Sequence, residues 1–255
     1  MKVSIIAPTS GLEQYASRSD HYHLTLSHLV LCDPDYRRFY ERRSVEGDWI
    51  ILDNSAHEFG GGMSTTDLLV AAAAIQASEI VLPDRLFFGD DTYENSKNAF
   101  YECKKALPEI SLMGVPQGRT PEEYDLCAFN LIKLGVDTIG VSKDYEVWEG
   151  GLMRRVQLIR SWSESVQIHL LGWGRDLRQL YYLSQEPDLR IRGVDSAKPL
   201  VFASKGILLP DPEKEIDSPI YPKRPTDFFS SDSLFPPTAL HNIEMFKKFA
   251  GSEGN

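Results

Sequence analysis

Residues 192–206 read RGVDSAKPLVFASKG, and the parsing of that stretch decides the fold. Leu-Arg-Ile-Arg-Gly at 189–193 forms a short strand running into Val194, and Asp195 stands where apolar residues give way to polar ones. A carboxylate at a strand end is exposed and held by a rigid element, which is how a scaffold presents a nucleophile or a general base. The competing reading makes Asp195 the N-cap of the next helix, since Asp is favoured there and Ser196-Ala197 could open a turn. The choice depends on whether other strands end the same way.

Working outward from Asp195, eight β-type runs recur, at 3–7, 23–31, 49–52, 79–82, 111–115, 138–141, 166–171 and 189–194. Between them lie helical segments at 65–77, 92–106, 120–134, 151–163 and 175–183. Two of these carry clear start signals, Ser64-Thr65-Thr66-Asp67 and Thr120-Pro121-Glu122-Glu123 with Pro at the first helical position. Strand and helix alternating in this way predict a single-domain α/β (β/α)8 TIM barrel, with a doubly wound open sheet as the second choice. The barrel core is expected over 1–206. From 207 to 255 a Pro-, Ser- and charge-rich arm should lie over the barrel and end in a closing amphipathic helix at 238–250.

A barrel keeps its chemistry on the loops after its strands, so polar residues should gather there. They do: Asp53-Asn54-Ser55-Ala56-His57 follows the third run, Pro83-Asp84-Arg85 the fourth and Pro116-Gln117-Gly118 the fifth. Ser142-Lys143-Asp144, Gly172-Trp173-Gly174-Arg175 and Asp195-Ser196 follow the last three. Asp53, Asp84 and Asp195 thus share one rim.

The chain has 255 residues, 42% of them hydrophobic, enough for a core without staples. Its three cysteines, Cys32, Cys103 and Cys127, are too scattered for a disulfide framework or a Cys-x-x-Cys zinc site, which predicts a reducing, cytoplasmic setting. The N-terminus reads as a first strand rather than a signal peptide, and no apolar run approaches the ~18 residues of a membrane span. A net charge of −10 argues against indiscriminate nucleic-acid binding, although a local basic surface is compatible with it.

Carboxylates, an amide and approachable glycine backbone suit a flat polar ligand such as a nucleobase. One carboxylate can attack a sugar carbon, a second can shuttle a proton and a third can accept from N–H groups of the base. These residues also carry a resemblance. Ile51-Leu52-Asp53-Asn54-Ser55-Ala56 is similar to the Thr-Asp-Ser-Gly-Gly motif of the tRNA-guanine transglycosylase family, and Glu79-Ile80-Val81-Leu82-Pro83-Asp84 to its Asp-Ile-Val-x-x-x-Asp. Gly114-Val115-Pro116-Gln117-Gly118 resembles its Gly-Ile-Val-Gln-Gly, and His169-Leu170-Leu171-Gly172-Trp173-Gly174 its His-Leu-x-Gly-x-Gly. Val194-Asp195-Ser196-Ala197 resembles the archaeal-type Phe-Asp-Ser-Ala, and His241-Asn242-Ile243 the terminal His-Asn-Leu. The matches run in family order along most of the chain.

The resemblance implies an enzyme that exchanges guanine in nucleic acid for a free 7-deazaguanine base, without a cofactor. In it Asp195 would attack the anomeric carbon and form a covalent intermediate, and Asp53 would be the general acid/base. Asp84 would read the N1 and N2 hydrogens of guanine, and Gln117 would donate to O6. Backbone around Gly140 and Val141 would line the pocket, with Ser55 and Gly172 beside it and His57 or Phe59 stacking on the purine. The family's Cys-x-Cys-x-x-Cys zinc site has no counterpart, so no metal is expected. The appended tRNA-recognition domains are missing too, which makes the chain most similar to the compact, zinc-less branch acting on DNA in phages and bacterial modification islands. DNA is therefore expected ahead of tRNA, with a flipped-out or single-stranded guanine as substrate. For a phage-encoded chain the compartment would be the host cytoplasm. The family's pairing suggests a homodimer, and an accessory protein could open the duplex.

Each residue has a plainer reading. Asp84 could pair with Arg85, Gln117 could be a turn residue, and His169 in its apolar strand reads as a satisfied core histidine. His57 with Glu58, and His21 with His23, have metal-binding types but no complete ligand set. Gly60-Gly61-Gly62, lacking a following Lys-Ser/Thr, reads as a flexible loop able to hinge over the pocket. Lys143, Arg175, Arg178, Lys198, Lys205, Lys223 and Arg224 are candidates for phosphate contacts, against ordinary surface charge. A barrel hydrolase or lyase holding a divalent ion on its carboxylates, and a barrel that only binds, are the competing functions.

Overall fold

The computed structural model describes residues 1–143, 151–173, 176–217, 219–220, 222, 224, 228–229 and 237–252, with the backbone alone at 151, 152, 154, 155 and 163. Eight parallel strands, β1 (Lys2–Ile5), β2 (Tyr22–Leu26), β3 (Trp49–Asp53), β4 (Glu79–Val81), β5 (Ser111–Gly114), β6 (Thr138–Ser142), β7 (Gln167–Leu171) and β8 (Ile191–Ser196), lie in the order β1-β8-β7-β6-β5-β4-β3-β2. This is a (β/α)8 barrel. The last gap, between β1 and β2, is bridged by side chains: Val3 N–H donates to Asp20 Oδ2 (2.8 Å), Ile5 N–H to Ser19 Oγ (2.9 Å) and Leu24 N–H to Ser4 Oγ (2.8 Å).

The helices are α1 (Ser27–Cys32), α2 (Pro34–Val45), α3 (Ala56–Phe59), α4 (Thr65–Ile75), α5 (Gly89–Ala106), α6 (Pro121–Leu134), α7 (Gly151–Ser163), α8 (Leu177–Ser184), α9 (Lys198–Ser204) and α10 (Thr238–Phe249). Their ends follow the local chemistry. Ser64 Oγ accepts from Asp67 N–H at the start of α4, Thr120 Oγ1 from Glu123 N–H at the start of α6, and Gly135 at φ 101° ends α6. The closing helix α10 packs on α8 and α9, and Asn242 locks it: its Oδ1 accepts from Leu209 N–H, and its Nδ2 donates to the carbonyls of Pro199 and Ile207.

Two expectations are corrected. The second run is a strand only to Leu26, and Ser27–Cys32 is helical. A strand buried on both faces shows no alternation, so an apolar run of this kind does not reveal where strand becomes helix. Helix α2 lies outside the expected helices because Arg37, Arg38, Glu41, Arg42 and Arg43 surround its buried Tyr36, Phe39 and Tyr40. Their i, i+3, i+4 spacing is the amphipathic signal, and Asp33 followed by Pro34 starts the helix.

Apolar residues fill two layers. One lies between strands and helices, and the other, with Tyr22, Leu24, Ile51, Val81, Met113 and Val115, fills the barrel. Where β8 meets β7, Ile191 pairs with Ile168 and Gly193 with His169, so Arg192 is an extra, bulged residue. No helix among the described residues is long and apolar enough to cross a membrane. Cys103 and Cys127 are buried, and burial raises both thiols to about 11.

Candidate active site at the C-terminal mouth of the barrel

A cavity of about 350 Å³ opens at the end of the barrel where the strands finish, within the range of roughly 300–1,000 Å³ for small-molecule sites. Its floor is apolar, with Ile6, Leu24, Leu26, Val81, Val115 and Leu171. Asp53, Asp84 and Asp195, from β3, the loop after β4, and β8, all line it. A fourth carboxylate, Glu58 on α3, joins them.

Asp195 does not cap α9; Ser196 Oγ, not the Asp195 carboxylate, accepts from the Lys198 N–H at its start (3.1 Å). Its Oδ1 lies 3.0 Å from His169 Nε2, and Gly172 N–H is 3.1 Å from both carboxylate oxygens. Gly172 sits at φ 64° and so turns its N–H inward. Asp84 is held from both sides: Asn54 Nδ2 donates to Oδ1 at 2.7 Å and Gln117 Nε2 to Oδ2 at 2.5 Å. Asn54 Nδ2 also donates to Leu82 O, and Gln117 Oε1 accepts from Phe87 N–H. The alternative pairing of Asp84 with Arg85 is not made, because Arg85 pairs with Asp91. Asp53 Oδ2 accepts from Ser55 N–H at 2.8 Å. Loss of solvent, then the Glu58 charge, then Asp84 and Asp195 hold the Asp53 carboxyl well above the usual carboxylate range. A carboxyl that holds its proton more tightly than an ordinary one is suited to donate it.

The glycine loop is pinned rather than hinged. Gly62 N–H donates to Asp84 O, Gly61 bridges Arg85, and a Cβ on Gly62 would stand 2.8 Å from Pro83 Cα. Close approach of this loop helps fix Asp84.

Other expected site residues are placed as follows. His57 lines the cavity. Phe59 is exposed on α3 and packs edge-on against His28, ring centres 5.2 Å apart, outside the lining. Ser55, at φ 60°, turns its hydroxyl away to His28 Nδ1 (2.8 Å) and Ser27 Oγ (3.0 Å), so only its backbone serves the site. Gly140 and Val141 do not line the cavity as expected. They pair with β7 lower in the barrel, and Val141 O accepts from Trp173 Nε1, which leaves Ser142 and Lys143 at the mouth. Lys198 is buried in the cavity wall with Nζ 3.2 Å from Gly172 O, rather than spread on the surface. Arg224 reaches the cavity from the arm, 3.6 Å from Glu58 Oε1 and over the Phe229 ring. Lys205 is exposed at the end of α9 farther from the mouth, and Arg178 is drawn to Asp176 and Asp217. Arg175 and Lys223 lie outside the described residues.

Sequence reasoning missed Asn54, Glu58 and His169 as site residues, although Asn54 and His169 stand inside the quoted motifs. His21 and His23 bind Asp48 at the opposite end of the barrel. Among the described residues no group of three or more His, Cys, Asp or Glu is arranged to hold a metal. Comparison of the chain with protein-family models and with curated proteins returns no match.

Proposed function

We propose that the protein exchanges guanine in nucleic acid for a 7-deazaguanine base through a covalent Asp195 intermediate, on DNA ahead of tRNA. The observation that carries this reading is the meeting of Asp53, Asp84 and Asp195, from the ends of β3 and β8 and the loop after β4, around one apolar-floored cavity. Asp84, oriented by Asn54 and Gln117, accepts from the N1 and N2 hydrogens of guanine, so Gln117 acts chiefly through Asp84. Asp195 forms a bond to C1′ as the C1′–N bond to guanine breaks, and protonated Asp53 supplies a proton to the departing base. The incoming base then gives a proton to Asp53 and displaces Asp195 from C1′. Lys143 and Arg224 at the mouth meet phosphate. The preference for DNA rests on the sequence resemblance.

Incubation with radiolabelled guanine and either single-stranded DNA or tRNA measures the exchange directly. Label should enter DNA, and Asp195→Ala should abolish incorporation with the fold intact. Incorporation into tRNA alone would move the substrate to RNA, and incorporation into neither polymer would sink the reading.

A further inference from the structure

Asp195 is the last member of a buried polar chain that crosses the inside of the barrel. Fully buried Glu79 on β4 accepts from Arg192 Nη2 and, at 3.2 Å, from Trp49 Nε1. Arg192, the bulged residue of β8, places Nε 3.1 Å from Tyr22 Oη and stacks over the Trp49 and Tyr22 rings, 5.4 and 5.5 Å from their centres. Tyr22 Oη is 2.7 Å from His169 Nδ1, and His169 Nε2 is 3.0 Å from Asp195 Oδ1. A Cβ on Gly193 would stand 2.5 Å from Tyr22 Cε1, so the glycine admits the ring to this position.

The donor inventory leaves one consistent assignment. Arginine only donates, so the Tyr22 oxygen accepts from Arg192. A carboxylate only accepts, so His169 carries its hydrogen on Nε2, and Nδ1 accepts the single hydroxyl hydrogen of Tyr22. Burial, ahead of every other influence, holds the Tyr22 phenol far above its ordinary range, so that hydrogen stays. From Arg192 Nε through the Tyr22 hydroxyl to His169 Nε2, the donors point toward Asp195.

We propose that His169 is a positioning residue for Asp195, locked as the Nε2–H tautomer by Tyr22 and Arg192. Its kinetic consequence rests on the base-exchange reading above. In the first step Asp195 attacks C1′ while His169 fixes the carboxylate plane. Oδ1 carries the imidazole and shares Gly172 N–H, which leaves Oδ2 the less encumbered oxygen for attack. In the second step Oδ1, now the ester carbonyl, keeps the same hydrogen bond while Asp195 departs as carboxylate. No proton moves along the chain in either step. The groups facing His169 are Tyr22 from β2 and Asp195 from β8, with Arg192, Glu79 and the Lys2 ammonium behind Tyr22.

Imidazole nitrogen NMR of histidine-labelled protein, with His169→Gln for assignment, should show the Nε2–H tautomer, lost in Tyr22→Phe. His169→Leu should slow glycosyl-enzyme formation about a hundredfold, the scale of one lost preorganised donor, with KM for the free base unchanged. His169→Gln, which keeps a donor, should recover most of that rate. An Nδ1–H or doubly protonated ring in the wild-type protein overturns the proposal, as does a Gln variant no better than Leu. Absence of any exchange by the wild-type protein would remove the base-exchange reading, while the NMR result would still decide the locked tautomer.

Discussion

Asp48 and Asp53 stand at opposite ends of β3, and their surroundings are opposite in sign. Asp48, just before the strand, is buried among His21 Nδ1 (2.6 Å), His23 Nε2 (2.8 Å) and Arg43 Nη2 (2.6 Å). Against desolvation, which would raise it, these partners hold its carboxyl below the usual range. Asp53 has one backbone donor and faces Glu58, Asp84 and Asp195, and its carboxyl is held high. A carboxylate surrounded by positive partners is part of the scaffold. One surrounded by other carboxylates is costly to keep and marks where chemistry is expected.

The largest effect should come from breaking the mouth end. Asp53→Asn should lower base exchange by roughly 10²–10⁴-fold, the range for a lost general acid/base. Thermal stability should respond in the other direction. Because the folded-state pKa of Asp53 is raised, the folded protein holds that proton more tightly than the unfolded chain. Ionising it costs stability as pH climbs from the ordinary carboxylate range to the raised value. Removing the group should therefore leave Tm at alkaline pH unchanged or higher, and a clear fall there would contradict the repulsion.

Next in size is the other end of the strand. Asp48→Asn leaves the half-buried Arg43 guanidinium without its counter-charge and the buried His23 imidazole with a weaker partner, a loss of about 3 kcal/mol, or roughly 6–12 °C in Tm for a chain this long. Exchange per folded molecule should not change. The pH dependence also reverses: a depressed folded-state pKa gives stability that is present above the unfolded value and lost as pH falls through the folded one. Calorimetry across acid pH should show wild type and variant converging. Smaller again is Gly193→Ala, whose methyl would overlap the Tyr22 ring and cost about 2 kcal/mol, roughly 4–8 °C. Because the ring must shift, exchange should fall with it, which Asp48→Asn would not produce.

The comparison also shows what a sequence can reveal. The barrel was legible because strand runs, caps and polar strand ends repeat at short range, and Asp53, Asp84 and Asp195 could each be read from a strand end. The partners that orient them could not. Arg192 meets Tyr22 across 170 residues and Glu79 across 113, separations to which no local pattern is sensitive. His169 was read as a core histidine, which its burial bears out, but its bond to Asp195 depends on the register of β7 against β8. Ser55 and Phe87 adopt φ of 60° and 68° with no glycine to announce the turn. Both positions hold site residues through their backbone N–H groups, Ser55 to Asp53 and Phe87 to Gln117.

The mildest test separates the basic residues by position. Lys143 lines the mouth, and a Cβ on Gly172 would lie 3.4 Å from its ammonium, so the charge stands beside the loop that holds Asp195. Lys205 is exposed at the remote end of α9. If nucleic acid lies across the mouth, Lys143→Ala should weaken binding about equally for all sequences and reduce the slope of log affinity against log salt by about one. Lys205→Ala should leave the slope unchanged. The overall charge of −10 opposes any polyanion, so binding requires positive charge gathered where the strand runs, and only the position of each lysine distinguishes the two variants. Equal slopes for both variants and the wild type would place the polymer elsewhere on the protein.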